Sequence, residues 1–412
     1  MTTGGKELYR LWGVWWCLIA SHFITMVNAG TLTSSSSSSG TCQDVALVIG
    51  AGPAGLITAL GLSQVCRKVF LVEKHKTFEP RGATISIHPN GKKALLEICP
   101  EVWTSMEEVG VLTPHGGMML PWWEMRDAAV KAVRKRENIE LCTGEIFTAI
   151  EDSEEGVHVK FKSGLELAAD FLVAADGVHS AVRQWLKLPK ALPAKNSIWR
   201  GYVYVTEDCS EELKSLLGKG QVPFMRHYDD GTSMLVINFH EKRPGRMTWA
   251  VSTARKASDS TLPLEMFRGS DVPPEERKLL EEIFSISPKE TLKPFPPSNV
   301  MDMSEDVLAK YKGGWGGKGR IALVGDAAHS MRATDGQGAN QAFEDAVILY
   351  RIMQSHRPDH SVEETLRQFE AARLPRVKKI HDEQRLKYEG WLNGDKTALL
   401  MEGGKHWVWE GV

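Results

Sequence analysis

Three glycines and one acid, set along a single stretch of chain, carry the first chemistry. Gly50-Ala-Gly52-Pro-Ala-Gly55 can turn tightly at Gly50, bring backbone N–H groups against a pyrophosphate at Gly52, and let helix and strand pack closely at Gly55. Glu73 lies 73 − 50 = 23 residues on, near the ~20 expected of an acid that accepts both hydroxyls of a ribose. A second glycine run, Gly314-Trp-Gly316-Gly-Lys-Gly319, precedes its strand instead of following one. It also has Gly319 where a nucleotide-triphosphate loop carries Ser or Thr, so it reads as a flexible approach to that strand. His329 follows Gly-Asp-Ala-Ala and has the side chain of a general base, but its strand-to-turn setting reads as a structural histidine. The six cysteines (Cys17, Cys42, Cys66, Cys99, Cys142, Cys209) contain no C-x-x-C and no zinc spacing. Neither a metal nor a disulfide scaffold is expected.

These residues need elements to hold them. Asp44-Val-Ala-Leu-Val-Ile-Gly50 reads as a buried parallel strand, Leu56 to Leu62 as a helix and Val69 to Glu73 as a second strand, so the first glycine turn sits inside a βαβ unit. Phe171-Leu-Val-Ala-Ala reads as a strand ending in Asp176-Gly177, with Ser180 as the N-cap of a helix. Ile321 to Val324 is another such strand, ending in Gly325-Asp326. Gly336-Gln-Gly338-Ala-Asn340 then opens a helix whose N-terminus suits a polar or anionic group. Between Leu188 and Asn299 the period changes. Ile198–Val205, Val222–Tyr228, Ser233–Phe239 and Arg246–Val251 read as antiparallel strands. Pro263 to Pro297 reads as irregular, and Val362 to Glu389 as a charged helix broken at Pro375. The basic stretch Lys131–Arg136 reads as a solvated helix face.

Charge and composition bound the classes. The chain has 412 residues, with 50 Lys+Arg against 52 Asp+Glu, a net of −2; no global positive field exists to hold nucleic acid. Hydrophobic residues at 42% and charged residues at 25% are those of a globular chain, not a disordered one. Lys6 and Arg10, the apolar run from Leu11 and Val27-Asn28-Ala29 follow the order of a secretory signal. A membrane anchor and a misassigned start codon are the other readings, and they set the expected location: endoplasmic reticulum membrane or secretory pathway for the first two, cytoplasm for the last. Ser34 to Ser39 reads as a linker.

Taken together, the G-x-G-x-x-G turn, A-D-G-x-x-S-x-V-R at 175–183 and G-D-A-A-H…G-Q-G-A-N-Q-A-x-E-D-A at 325–346 resemble the single-component FAD-dependent monooxygenases of the para-hydroxybenzoate hydroxylase type. The resemblance spans about Asp44 to Arg376, with the motifs in family order. It implies an α/β fold, a Rossmann-like FAD-binding domain with an inserted antiparallel-sheet substrate domain. The corresponding boundaries are signal or anchor 1–29, linker 30–42, FAD-binding 43–190 and 300–390, substrate sheet 191–299 and C-terminal tail 391–412.

It also implies roles by position. Gly50, Gly52 and Gly55 would hold the FAD pyrophosphate and Glu73 the adenosine ribose. Gly82 and Ala83 would lie along the flavin, and Arg126 would contact FAD. Asp176 would serve FAD and the nicotinamide donor, Asp326 the ribityl hydroxyls, and Ala339 and Asn340 the pyrimidine edge. The chain departs from the family in having no proline in Met331-Arg-Ala-Thr-Asp335, and Ala129 where Leu is common.

The activity implied is hydroxylation or epoxidation of an aromatic or polycyclic substrate with NAD(P)H and O₂, through a flavin C4a-hydroperoxide. FAD would be the cofactor and NAD(P)H a co-substrate, with no metal, and the N-terminus is a candidate for membrane association. Arg200 is the candidate to stabilise a substrate anion and Tyr228 to pass a proton, with Arg246 competing for the first role. Each has a plain alternative on a sheet: a surface arginine or a core-edge tyrosine. A flavin reductase on the same fold and a non-catalytic flavin-bound membrane protein are the rival functions.

Overall fold

Apolar, branched runs form the centre of the molecule as a five-stranded parallel sheet. β1 (Val45–Ile49) lies between β2 (Lys68–Glu73) and β10 (Phe171–Ala174); β6 (Ile139–Thr143) extends it beyond β2, and β17 (Ile321–Leu323) beyond β10. Leu47, Val48, Leu71, Leu172 and Ala322 are fully buried, because helices cover both faces. This computed structural model describes residues 44–411 apart from 80–83, 114, 195, 221, 223, 229, 240, 259, 269–270, 296–298, 312–313, 333–334, 356–359, 394 and 396–406. The expected signal or anchor at 1–29, the linker at 30–42, and Gly82 and Ala83 lie outside the described residues. Among the described residues, no helix is long and apolar enough to cross a membrane.

Helices α1 (Pro53–Leu62), α2 (Pro89–Ile98), α3 (Pro100–Glu107) and α4 (Trp122–Val133) fill the first half. A small antiparallel sheet joins β3 (Thr84–Ile87), β4 (Val111–Leu112) and β5 (Met118–Pro121). The meander β7 (Phe147–Ser153), β8 (Gly156–Phe161) and β9 (Glu166–Ala169) leads into β10, and α5 (Ala181–Trp185) follows, capped by Ser180 Oγ accepting the Arg183 N–H. After β11 (Leu192–Pro193) comes the four-stranded antiparallel sheet of β12 (Ser197–Tyr204), β13 (Phe224–His227), β14 (Thr232–Asn238) and β15 (Arg246–Thr253), in the order β12-β15-β14-β13. α6 (Glu211–Ser215) lies between β12 and β13, and α7 (Pro274–Ser285) follows β15. β16 (Asn299–Val300), α8 (Glu305–Leu308), β17, α9 (Asp326–His329), α10 (Gln337–Gln354) and α11 (Val362–Leu392) return the chain to the parallel sheet. The fold is α/β, with a Rossmann-like parallel sheet and added antiparallel sheets.

Three local expectations are corrected. The stretch Pro263–Pro297 contains α7: Pro274 occupies the first helical position, where its missing N–H costs nothing, and Leu280, Ile283 and Phe284 bury one face. Pro375 does not break α11, which runs through it. Its ring is exposed, so the orphaned carbonyl one turn back can be hydrated, while Arg373 and Arg376 on either side are tied to α10. The glycine run 314–319 is anchored. Trp315 is buried, and the Trp315 and Gly317 amides donate to the Glu370 carboxylate at 3.2 and 3.0 Å.

Candidate functional site

The ends of β1, β10 and β17 bring separate motifs together. A Cβ on Gly50 would lie 2.4 Å from the Ala175 carbonyl oxygen, and one on Gly325 would lie 2.8 Å from the Ala54 Cβ, at a backbone φ of +56° that L side chains avoid. A Cβ on Gly338 would approach Asp326 Oδ1 to 4.0 Å. The first glycine turn, the Asp176-Gly177 turn, the Gly325-Asp326 turn and the start of α10 therefore share one place. That place lies at the carboxyl ends of parallel strands, the crevice such sheets use for ligands.

The residues there suit a pyrophosphate-and-polyol cofactor. A Cβ on Gly55 would strike the Gly50 carbonyl at 1.8 Å, whereas among the described residues nothing lies within 4 Å of one on Gly52. The turn is closed behind and open in front, facing the N-terminus of α1. Glu73 is buried and accepts the Ala51 and His75 amides, both at 2.9 Å, so it braces the turn from below. Asp176 Oδ2 accepts the Ala181 and Val182 amides at 2.7 and 3.3 Å, and its buried Oδ1 has no partner among the described residues. Burial raises the Asp176 carboxyl above the usual range. Asp326 is accessible to solvent, yet protein surrounds it closely enough that burial raises its carboxyl as well. Both hold together for a group on the wall of an internal cleft.

Two expected contacts have other work in this structure. Arg126 is buried between the rings of Phe78 and Trp122, and donates to the Glu79 carbonyl at 2.9 Å and to Asp127. It steadies the segment leading to Gly82 and Ala83. The Asn340 side chain accepts the His88 amide at 2.8 Å and donates to the Ser86 and Gly336 carbonyls, stitching β3 to α10. Helix geometry leaves the Gln337, Gly338 and Ala339 amides open as donors at that N-terminus. His329 is a buried brace: its Nε2 lies 2.7 Å from Asp345 Oδ2 and its ring meets Trp315 edge-on.

The antiparallel sheet presents two different faces. Register places Arg200, Ala250, Leu235 and Met225 in one row across the strands, and Ile198, Ser252, Ser233 and His227 in the next. Both rows line a cavity of about 180 Å³, bounded also by Arg332, Tyr388 and Trp391. Thr248, on this same face, meets Thr84 of β3 at 2.9 Å, so the cavity side looks toward the glycine turns. The opposite face carries Trp199, Trp249, Val236 and Phe224, packed against α6 and α7.

Arg200 and Tyr228, expected to work together, are therefore separated. Arg200 is on the cavity wall. Tyr228 is in the other core, its hydroxyl donating to Glu276 at 3.2 Å and its pKa raised by burial and that carboxylate. Arg246 is buried among Trp123, Tyr202 and Tyr204, away from the cavity. His227 and Arg332 are the lining residues that sequence reasoning missed. The alternation of β13 already put His227 and Tyr228 on opposite faces; only the choice of face was hidden.

A family model described as FAD binding domain matches residues 86–384. A FAD-dependent urate hydroxylase from Klebsiella oxytoca is 28% identical over 369 residues, covering 81% of this chain and 87% of that protein. A kynurenine 3-monooxygenase from Salinispora arenicola is 26% identical over 378 residues, covering 82% and 77%. Among solved structures, CtdE in complex with FAD and a substrate superposes with a TM-score of 0.74 at 21% identity, over 89% of this chain and 95% of that one. Klebsiella pneumoniae HpxO complexed with FAD and uric acid gives 0.64 at 24% identity, over 86% and 90%. Likeness at these identities speaks for the fold.

Proposed function

Because this chain belongs to the FAD-binding-domain family of single-component flavin monooxygenases, we propose that it hydroxylates a small aromatic anion with NAD(P)H and O₂. The balance is substrate C–H + O₂ + NAD(P)H + H⁺ → C–OH + H₂O + NAD(P)⁺. FAD, when bound, supplies the two-electron redox chemistry and the activation of O₂. Gly50, Gly52 and Gly55 would hold its pyrophosphate, Glu73 its ribose and Asp326 its ribityl hydroxyls. Asp176 and the amides from Gln337 through Ala339 would complete the cradle, with Arg126, Asn340, Gly82 and Ala83 beside it. Residues 191–299 would serve as the substrate-binding part, between FAD-binding parts 43–190 and 300–390.

The carrying observation is the cavity between Arg200 and Arg332, walled by the sheet on one side and by Arg332, Tyr388 and Trp391 on the other. The neutral His227 imidazole would take the proton of the substrate's hydroxyl, and Arg200 would stabilise the phenolate- or enolate-like anion that results. Met225, Leu235 and Ile198 would exclude water. The volume, about 180 Å³, is close to the ~150 Å³ cavity known to hold benzene, so one or two rings fit. Urate and kynurenine, named for the relatives, are small ring compounds.

The test is purification of the full chain, a flavin spectrum, and NAD(P)H oxidation over a panel of small aromatic acids under ¹⁸O₂. Bound flavin and one labelled oxygen in the product are expected. A protein that takes up no FAD overturns the reading, and turnover without label in the product turns it into a reductase.

A further inference from the structure

The cavity that the proposed function assigns to substrate has a charge pattern that says more about what enters it. Its described lining residues include two arginines and a histidine, and no Asp or Glu. Among the described residues Arg200 has no carboxylate partner; its guanidinium stacks on Phe295 at 5.7 Å, and burial alone pushes its pKa down. Arg332 lies over the Tyr388 ring at 4.4 Å, and its buried Nε has no partner among the described residues. Glu389 favours the charge on Arg332 from a distance, but its carboxylate pairs with Arg385 at 3.2 Å, and Asp335 pairs with Lys387 at 3.9 Å. Two guanidinium groups lining one cavity repel each other and have each lost hydration, a cost that anionic partners offset.

Between them the wall is neutral. Ser233 and Ser252 hydroxyls bond each other at 2.6 Å, and Met225, Leu235, Ile198 and Trp391 form an apolar slot. Arg200 belongs to β12 and Arg332 to the segment between α9 and α10, so the two cations approach the cavity from opposite elements.

Resting on the reading of this cavity as the substrate site, we propose that it takes a ring compound bearing two anionic groups, one held by Arg200 and the other by Arg332. Arg332 then acts in specificity, selecting diacids over monoacids through a second charge-assisted, fork-shaped contact.

The probes are benzoate, benzamide and the three benzenedicarboxylate isomers, titrated calorimetrically into the oxidised FAD-loaded full chain. At least one dicarboxylate is expected to bind about tenfold or more tighter than benzoate, with benzamide weakest, and the advantage to shrink with added salt. Arg332→Gln is expected to erase the dicarboxylate advantage and leave benzoate within about twofold, while Arg200→Gln weakens both. Arg332→Lys should restore part of the advantage, which separates charge from fold; FAD absorbance and melting temperature check each variant. The proposal is overturned if no dicarboxylate exceeds benzoate, or if Arg332→Gln lowers both affinities alike or neither. Binding needs no turnover. A diacid preference in a protein without oxygenase activity sinks the monooxygenase reading alone, and oxygenase activity without that preference sinks this one alone.

Discussion

Arg200 and Tyr228 lie on opposite faces of one four-stranded sheet, and His227, one residue before Tyr228, shares the face of Arg200. Strand geometry allows no compromise, because successive side chains point to opposite sides.

The first prediction follows from that parity. Tyr228→Phe should leave kcat and KM within about twofold and lower stability by about 1 kcal/mol through the lost bond to Glu276. His227→Gln should lower kcat about 10²-fold, the low end for a general base. Burial depresses the His227 pKa, so its imidazole is neutral near pH 7, and activity should fall as acid protonates it. Steady-state kinetics of the two variants decide this; a large kcat loss in Tyr228→Phe alone would reverse the assignment.

Two glycines in one turn should respond differently. Gly55→Ala drives a methyl into the Gly50 carbonyl and should yield little folded protein. Gly52→Ala meets no atom of the described residues within 4 Å and should fold with an unchanged apoprotein melting temperature, yet retain little FAD, because its methyl occupies the open side of the turn. Flavin content per folded chain reads the contrast. Asp326→Ala belongs with Gly52→Ala: it removes a carboxylate whose ionised form burial disfavours, so FAD is lost and the apoprotein keeps its stability.

Arg373 is fully buried and donates to Asp345 at 2.8 Å, Glu344 at 2.8 Å and the Gln341 side chain at 2.8 Å. Asp345 in turn accepts the Gly325 amide at 2.8 Å and holds His329, so one arginine on α11 secures the Gly325-Asp326 turn. Arg373→Met strands buried carboxylates and should cost about 3–5 kcal/mol, measured by urea unfolding. FAD affinity should fall with it. Burial opposes the charge on Asp345, but His329 and Arg373 outweigh it and hold the pKa at about 2.

Stability should also depend on pH through His381. Burial lowers its pKa from 6.5 to about 4, with its Nε2 3.0 Å from the His329 carbonyl oxygen. His329 and Arg332 oppose its protonation and Asp382 favours it. The unfolded chain binds a proton near pH 6.5 and the folded one only near pH 4. Stability is therefore lost as pH falls through that window, by about 3 kcal/mol in total. Melting temperature against pH should show the decline, and His381→Gln should flatten it between pH 6.5 and 4. The Asp345 contribution is lost only below that window.

What was legible in the sequence was local. The strand, glycine turn, helix and second strand around Gly50–Glu73 are contiguous, and a backbone amide that must approach a phosphate leaves its mark as glycine at a definite spacing. The Asp176-Gly177 and Gly325-Asp326 turns were legible for the same reason, as were the four antiparallel strands through their period of two. Tertiary structure decided what depends on partners far along the chain. α6 and α7 chose which face of the sheet became core, and so sent Tyr228 inward and His227 to the cavity. Glu370 turned the glycine run at 314–319 from a loose approach into an anchored one, and solvent beside Pro375 let α11 continue. Arg332 acquired its place opposite Arg200 only because the chain returns to the parallel sheet after the antiparallel insertion. Burial and pairing are properties of the packed assembly, and a period or a spacing cannot encode which of two faces will lose its water.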